Sequence, residues 1–76
     1  MTDTRLVCHG RLEINDVNNI FKIDLPQDHD TIAGFVMQQI GHVPNEGEHF
    51  TYENLFVEVN EMDRNRIVRL TITKNI

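Results

Sequence analysis

Residues 55–73 read LFVEVNEMDRNRIVRLTIT and contain two runs in which apolar side chains occupy every second position. Such alternation is typical of a β-strand with one buried and one exposed face. The polar turn Asp63-Arg64-Asn65 separates the two runs, so the stretch predicts an antiparallel hairpin. Phe56 is the one apolar residue that breaks the first alternation. The residues predicted to face inward are Leu55, Val57, Val59, Val68, Leu70 and Ile72.

Upstream of this hairpin, the sequence predicts two more strands and two helices. The β-prone run Arg5–His9 is ended by Gly10 and predicts the first strand, and His49–Tyr52 predicts a short strand before the hairpin. The resulting order of elements is β-α-α-β-β-β. This order predicts an α+β fold, a small antiparallel sheet with two helices on one face.

The first predicted helix is short and depends on packing for its stability. Asn15 is predicted to cap it, and Asn18 and Asn19 inside it are mediocre helix formers. The helix should therefore have about two turns. Its predicted apolar face consists of Val17, Ile20 and Phe21.

The second predicted helix covers Thr31–Ile40, with Asp30 as its cap and Gly41 at its end. Pro44 prevents the helix from resuming. Gly34 lies in its middle, where glycine costs roughly 0.5–1 kcal/mol relative to alanine, so we expect another backbone to approach it closely. Gly34→Val should then destabilise the fold by more than the ~1 kcal/mol that propensity explains. The apolar stripe consists of Ile32, Phe35, Val36 and Ile40, with Ala33 and Met37 widening it.

The composition is that of one folded domain of 76 residues. Its 39% hydrophobic and 25% charged residues exclude a disordered or low-complexity chain. Seven basic and 12 acidic residues give a net charge of −5, which repels phosphate backbones and argues against nucleic acid as a partner. The single cysteine, Cys8, cannot form an internal disulfide. No apolar run approaches the ~18 residues needed to cross a bilayer.

Two acidic stretches contain the residue types that bind metals. Asp24 and the run Asp28-His29-Asp30 lie in one loop, and Glu46, Glu48 and His49 lie in another. Three adjacent residues cannot all face one ion without an unusual turn, and Asp30 is already assigned as a helix cap. We therefore predict solvated loops at both places and no metal site.

The sequence contains no catalytic motif that we can identify. Cys8 and His9 are neighbours in a strand and so point to opposite faces, which prevents them from forming a nucleophile–base pair through that adjacency. A phosphate-binding loop needs clustered glycines at the start of a helix. The four glycines are instead spread along the chain, at Gly10, Gly34, Gly41 and Gly47. We predict that the chain is not an enzyme and has no catalytic residue.

Three arginines cluster on the last hairpin: Arg64, Arg66 and Arg69. They form the candidate interaction surface, since they could bind an anion or an acidic partner. The ordinary interpretation, a solvated face with no partner, remains open at this point.

Several segments, taken together, resemble a known family. They are Gly10-Arg11-Leu12, Asp16-Val17-Asn18, Asp30-Thr31-Ile32-Ala33-Gly34, Gly41-His42-Val43-Pro44 with Gly47-Glu48, Phe56-Val57-Glu58-Val59, and Arg66-Ile67-Val68-Arg69-Leu70. The chain is similar, roughly from Leu6 to Ile72, to the transporter-associated domain of the CorC/HlyC type. This is the C-terminal module of hemolysin-like proteins that contain cystathionine-β-synthase (CBS) domains. His42 departs from the family, which commonly has arginine there.

The resemblance implies a setting for the domain. Residues 1–76 would be a single CorC/HlyC domain, excised from or C-terminal in a longer protein, on the cytoplasmic side of the cell membrane. The domain would follow a pair of CBS domains and reach the membrane only through its parent, whose relatives include proteins of magnesium and cobalt efflux. Its expected contact is with that CBS pair or with its own copy in a dimer, and its expected role is regulatory and non-catalytic.

The resemblance also implies an alternative function. The fold of the family is grouped with part of the FAD-binding domain of the PCMH type. By that analogy alone, the domain could bind FAD or another adenine nucleotide, and the residues that would do so are unknown.

Overall fold

The computed structural model describes residues 4–28 and 30–74. The helices and strands follow the predicted order, and the predicted α+β fold is confirmed. Their bounds are β1 Thr4–His9, α1 Ile14–Phe21, α2 Ile32–Ile40, β2 His49–Tyr52, β3 Leu55–Asp63 and β4 Arg66–Lys74.

The sheet has four antiparallel strands in the order β1-β4-β3-β2. The predicted hairpin is the centre of this sheet, because β3 and β4 pair with each other and each has one further neighbour. Ile72 of β4 lies opposite Leu6 of β1 on one side and Val57 of β3 on the other. β1 and β2 are therefore the two edges of the sheet.

One hydrophobic core lies between the helices and the inner face of the sheet. Burial of apolar side chains from both helices and from the two central strands stabilises this arrangement. Lys74 adds a polar contact at one end, where its Nζ donates to the Phe21 carbonyl oxygen at 2.7 Å. The buried hydrophobic residues are Ile14, Val17, Phe21, Leu25, Ile32, Phe35, Val36, Leu55, Val57, Val59, Ile67, Leu70 and Ile72.

Helix α1 buries a different face from the predicted one. Ile20, predicted to face the core, is 47% exposed, whereas Asn18 is buried. The Asn18 side chain explains this: its Oδ1 accepts from the Leu25 N–H at 2.8 Å, and its Nδ2 donates to the Leu25 carbonyl at 3.3 Å. The predicted cap at Asn15 is also wrong, because the helix begins at Ile14 and Glu13 stands at the cap position without a side-chain hydrogen bond.

Helix α2 is buried through its predicted stripe, but its cap is one residue later than expected. The Thr31 hydroxyl accepts from the Gly34 N–H at 3.4 Å, so Thr31 and not Asp30 is the N-cap. Thr31 has the extended backbone and the side-chain oxygen that a cap needs. At the other end, Gly41 has φ +87 and its N–H donates to the Met37 carbonyl, which confirms the predicted helix end.

A close approach between backbones occurs at Gly10. A Cβ added there would overlap the Ile67 carbonyl oxygen and would lie 3.2 Å from the Ala33 Cβ. The Gly10 N–H donates to the Val68 carbonyl, and the Gly10 carbonyl accepts from the Ala33 N–H. Gly10 therefore joins the end of β1 to both β4 and α2. The close approach expected at Gly34 stays a prediction.

The alternation in β4 slips near the hairpin turn. Val68, predicted to face inward, is only half-buried, and Ile67, which is not among the residues predicted to face inward, is buried. The ladder between β3 and β4 is irregular on both sides of Glu61, where the register shifts. A bulge of this kind changes which side chains face the core, since it breaks the strict period of two.

Candidate functional site

A cleft of about 580 Å³ lies between the tip of the β3–β4 hairpin and the side of α2. Its apolar lining comes from Ala33 and Met37 of the helix and from Ile67 of the strand. The turn supplies the polar lining: Asp63, Arg64, Asn65 and Arg66. This Arg64–Arg66 cleft contains two of the three arginines predicted as an interaction surface.

The walls of the Arg64–Arg66 cleft are fixed by backbone contacts. Gly10 holds Ala33 of α2 beside Ile67 of β4, because its N–H and carbonyl bond to both elements. The turn between the strands is tight: Asp63 and Arg66 are the last paired residues, and Arg64 has a left-handed backbone with φ +59. These contacts therefore fix the position of the turn residues relative to α2.

Arg64 and Arg66 are both exposed. Within the described ranges, neither guanidinium has a hydrogen bond or an ion pair. Asp63 lines the same cleft but forms no ion pair with either arginine, so both guanidinium groups are available to a carboxylate from another molecule.

The third predicted arginine lies apart from this cleft. Arg69 donates to the Glu61 carboxylate, with 2.7 Å between Nη1 and Oε1. It lines a separate shallow groove of about 290 Å³ together with Val7 and His9. The sequence placed the three arginines close together along the chain, and the structure separates Arg69 from the other two.

The N-terminus of α2 has its hydrogen bonds satisfied within the protein. The N–H groups of Ile32 and Ala33 donate to the carbonyls of Leu12 and Gly10, at 2.8 and 3.0 Å. The next N–H group, that of Gly34, donates to the Thr31 hydroxyl. A phosphate group bound at a helix start needs these N–H groups, so this start offers it no free donors.

The acidic residues of the second loop bond to backbone groups and to His42. Glu46 accepts from the Met62 N–H at 2.9 Å, and Glu48 accepts from the Asn45 N–H at 3.1 Å. His42 Nε2 lies 2.9 Å from the second Glu48 oxygen. In the part of the chain that the structure describes, no group of three His, Cys, Asp or Glu side chains could hold a metal ion. His29, part of the other predicted acidic loop, lies outside the described residues.

Cys8 and His9 have different surroundings, in line with their predicted opposite faces. Cys8 is half-buried and packs against the core, and burial raises the pKa of its thiol above the ordinary value of 9.0. His9 is exposed, and its Nδ1 accepts from the Arg11 N–H at 3.1 Å. A thiol with a raised pKa stays protonated at neutral pH and is therefore a poor nucleophile there.

Among the residues that the structure describes, no helix has the length and apolar character needed to cross a membrane.

Comparison with known proteins shows the family of the chain. The transporter associated domain family, CorC_HlyC, matches residues 1–76. The chain belongs to this family. The resemblance noted in the sequence is thereby confirmed.

Two curated relatives illustrate the context in which such domains occur. The magnesium and cobalt efflux protein CorC of Pasteurella multocida is 39% identical over 62 residues, which are 80% of this chain and 21% of that protein. UPF0053 protein sll0260 of Synechocystis is 30% identical over 77 residues, 95% of this chain and 17% of that protein. The chain thus spans about a fifth of the length of the curated relatives it matches.

Solved structures show the same fold. A CorC-associated region from Neisseria meningitidis superimposes with a TM-score of 0.87 at 33% identity, over 93% of this chain and 89% of that one. A hemolysin domain from Enterococcus faecalis superimposes with a TM-score of 0.84 at 31% identity, over 95% of this chain and 89% of that one. The likeness to the PCMH-type fold stays a prediction.

Proposed function

We propose that the domain is a regulatory interaction module of a CorC-type protein linked to divalent-cation efflux. On this proposal it contacts the rest of its parent, a CBS pair on the cytoplasmic side of the membrane, through the Arg64–Arg66 cleft. The observation that carries the proposal is the pair of exposed guanidinium groups, neither of them in an ion pair within the described ranges, beside the apolar wall of Met37 and Ile67. The context comes from the relatives, of which this domain is about a fifth and whose names include magnesium and cobalt efflux.

The exposure of the two arginines supports a role in binding a partner and not in stabilising the fold. Exposed charges with no partner contribute little to folding stability, so Arg64 and Arg66 can be changed without unfolding the domain. A carboxylate of the parent, placed between the two arginines, would make charge-assisted hydrogen bonds that the isolated domain lacks. If the cleft meets that carboxylate in only one conformation of the parent, the contact shifts the conformational equilibrium toward it.

The test uses the parent protein in vesicles, with cation flux as the measurement. Deletion of residues 1–76 should leave the membrane domain folded but alter the nucleotide or cation dependence of transport. Arg64→Glu combined with Arg66→Glu should reproduce part of this change, because it reverses the charge of the cleft. Arg69→Glu is the matched control: it reverses an arginine that lies outside the cleft and is paired with Glu61.

Two results would contradict the proposal. One is transport and regulation like those of the intact protein in both the deletion and the double charge reversal. The other is an equal effect of Arg69→Glu, which would mean that overall charge, and not the cleft, determines the response. Circular dichroism of each variant domain should show an unchanged fold.

A further inference from the structure

The charge balance of the Arg64–Arg66 cleft limits what it can bind. Three charged residues line the cleft, the cations Arg64 and Arg66 and the anion Asp63. All three are exposed, and within the described ranges none of them forms an ion pair. Two positive charges and one negative charge leave the cleft with a single net positive charge. One carboxylate from a ligand therefore neutralises the cleft, whereas a second carboxylate makes it negative.

Asp63 lies where a second carboxylate of a ligand would meet it. Asp63 and Arg66 are directly opposite each other at the end of the ladder between β3 and β4, and Arg64 follows Asp63 in the turn. Facing residues of an antiparallel pair have Cβ atoms about 5 Å apart. Any group held between the two arginines is therefore close to the Asp63 carboxylate. A ligand with two acidic groups, or a doubly charged phosphate, is repelled there.

The helix wall of the cleft offers apolar surface beside these charges. Ala33 and Met37 lie one turn apart on α2, so they line the cleft from the same face of the helix. Both are half-buried, and part of their apolar surface is still accessible. A large apolar side chain from a partner would remove this surface from water, and the unbranched methionine adapts to its shape.

The partner that provides these groups is either the rest of the parent protein or a second copy of the chain. Two copies, each with a net charge of −5, repel each other. A segment of the same polypeptide is instead held at high effective concentration. The chain spans about a fifth of the length of its curated relatives, so a parent of that kind contains ample chain to supply the segment. These two arguments favour the parent.

We propose that the cleft binds a segment of the parent that carries one acidic residue beside one large apolar residue, and that Asp63 excludes segments with a second acidic residue. This inference rests on the proposed function and adds the chemistry of the partner and the residue that selects it. The carboxylate accepts hydrogen bonds from Arg64 and Arg66, and the apolar side chain packs on the helix wall.

The test uses the 76-residue chain, labelled with ¹⁵N, and four peptides with blocked ends. The reference peptide is Leu-Gly-Glu-Gly, in which leucine and glutamate share one side of an extended backbone. It should shift the amide resonances of Met37, Asn65 and Ile67. Leu-Gly-Gln-Gly and Ser-Gly-Glu-Gly should each bind about tenfold more weakly, since one lacks the carboxylate and the other the apolar side chain. Leu-Gly-Glu-Glu, with a second acidic residue, should also bind more weakly than the reference.

The role of Asp63 is tested by removing its charge. Asp63→Asn should abolish the difference between the reference peptide and Leu-Gly-Glu-Glu, because the cleft then has two positive charges and no acidic neighbour. Asp28→Asn is the matched control: it changes the net charge of the domain equally, at an exposed residue that does not line the cleft, and should keep the difference. The four peptides compared on the unsubstituted chain decide the main proposal even where a variant fails to fold.

Three outcomes would overturn the inference. The first is equal binding of the reference peptide and Leu-Gly-Glu-Glu to the unsubstituted chain, and the second is the absence of shifts in the cleft with every peptide. The third is a shift of the cleft amides that follows protein concentration, with a dimer by sedimentation, since a second copy would then occupy the cleft. The proposed function fails separately, when the flux measurements with Arg64→Glu and Arg66→Glu show no change.

Discussion

At the scale of single residues, Gly10 is the position where one added methyl group has the largest expected effect. Gly10→Ala should destabilise the fold by about 2–3 kcal/mol, because the new Cβ overlaps the Ile67 carbonyl, a backbone atom that cannot move aside cheaply. The measurement is the urea midpoint. Gly47→Ala is the control: its Cβ meets open space, and it should cost only about 1 kcal/mol for a left-handed backbone. An equal loss in both variants would contradict the overlap argument.

Asn18 is the buried polar residue whose side chain holds the loop after α1. Asn18→Ala should cost about 1–3 kcal/mol, because both polar groups of Leu25 lose their partner inside the protein. Thermal unfolding followed by circular dichroism measures the loss. Asn19→Ala removes the neighbouring, exposed amide and should change stability by less than about 0.5 kcal/mol. Similar losses in the two variants would show that helix content, and not the bonds to Leu25, is responsible.

Cys8 makes folding stability depend on pH in the alkaline range. Burial raises the pKa of its thiol in the folded state, so the unfolded chain loses the thiol proton first as pH rises through 9.0. The unfolded state then binds fewer protons than the folded state, and stability falls above that pH. Urea unfolding of the unsubstituted domain and of its Cys8→Ala variant, compared at neutral and alkaline pH, isolates this contribution. The difference in free energy of unfolding between these two proteins should change with pH only in the alkaline range. A difference that stays constant with pH would contradict the prediction.

At the scale of elements, the start of α2 depends on Thr31. Thr31→Ala should cost about 0.5–1 kcal/mol, at the low end for a cap because the hydroxyl bond is long, at 3.4 Å. Thr31→Ser keeps the hydroxyl and should retain most of the stability. Asp30→Ala, measured in high salt to screen its charge, should have a smaller effect than Thr31→Ala. The reverse order of these two effects would restore Asp30 as the cap.

The elements that could be predicted from the sequence are those whose burial follows a simple period. Phe35 of α2 and Val57 and Val59 of β3 are buried as their spacing indicates. The burial of Asn18 could not be predicted from polarity, because it depends on a non-helical segment that returns Leu25 to the side of α1. The spacing of apolar residues alone therefore led to the wrong prediction that Ile20 of α1 faces the core.

The candidate site was predicted only in part, for a reason that lies in the hairpin. The sequence indicated that Arg64, Arg66 and Arg69 lie near one another, because they are close along the chain. It gave no signal of the shifted register at Glu61, which changes the faces of β4 between the turn and Arg69. It also gave no signal that Ala33 would lie beside the hairpin tip, since that contact depends on tertiary packing at Gly10.

At the scale of the whole molecule, we expect no tight flavin binding by the domain. The sequence already argues against a phosphate-binding loop, because its four glycines are spread along the chain. The structure supplies a stronger reason, because the first N–H groups of that helix already bond to Leu12, Gly10 and Thr31. Calorimetric titration with FAD is the measurement. A dissociation constant in the low micromolar range would contradict the prediction and favour the nucleotide-binding alternative.

The position of β4 also determines when the sheet can assemble. β4 lies between β1 and β3, yet a ribosome makes it after every other strand. Until it emerges, β1 has no neighbour, and only the hairpin of β2 and β3 can form. Thr4 must then find Lys74 across nearly the whole chain, a contact of long sequence separation that forms slowly. A message truncated before Arg66 would therefore release a chain whose first strand stays unpaired and whose helices have no complete sheet to cover.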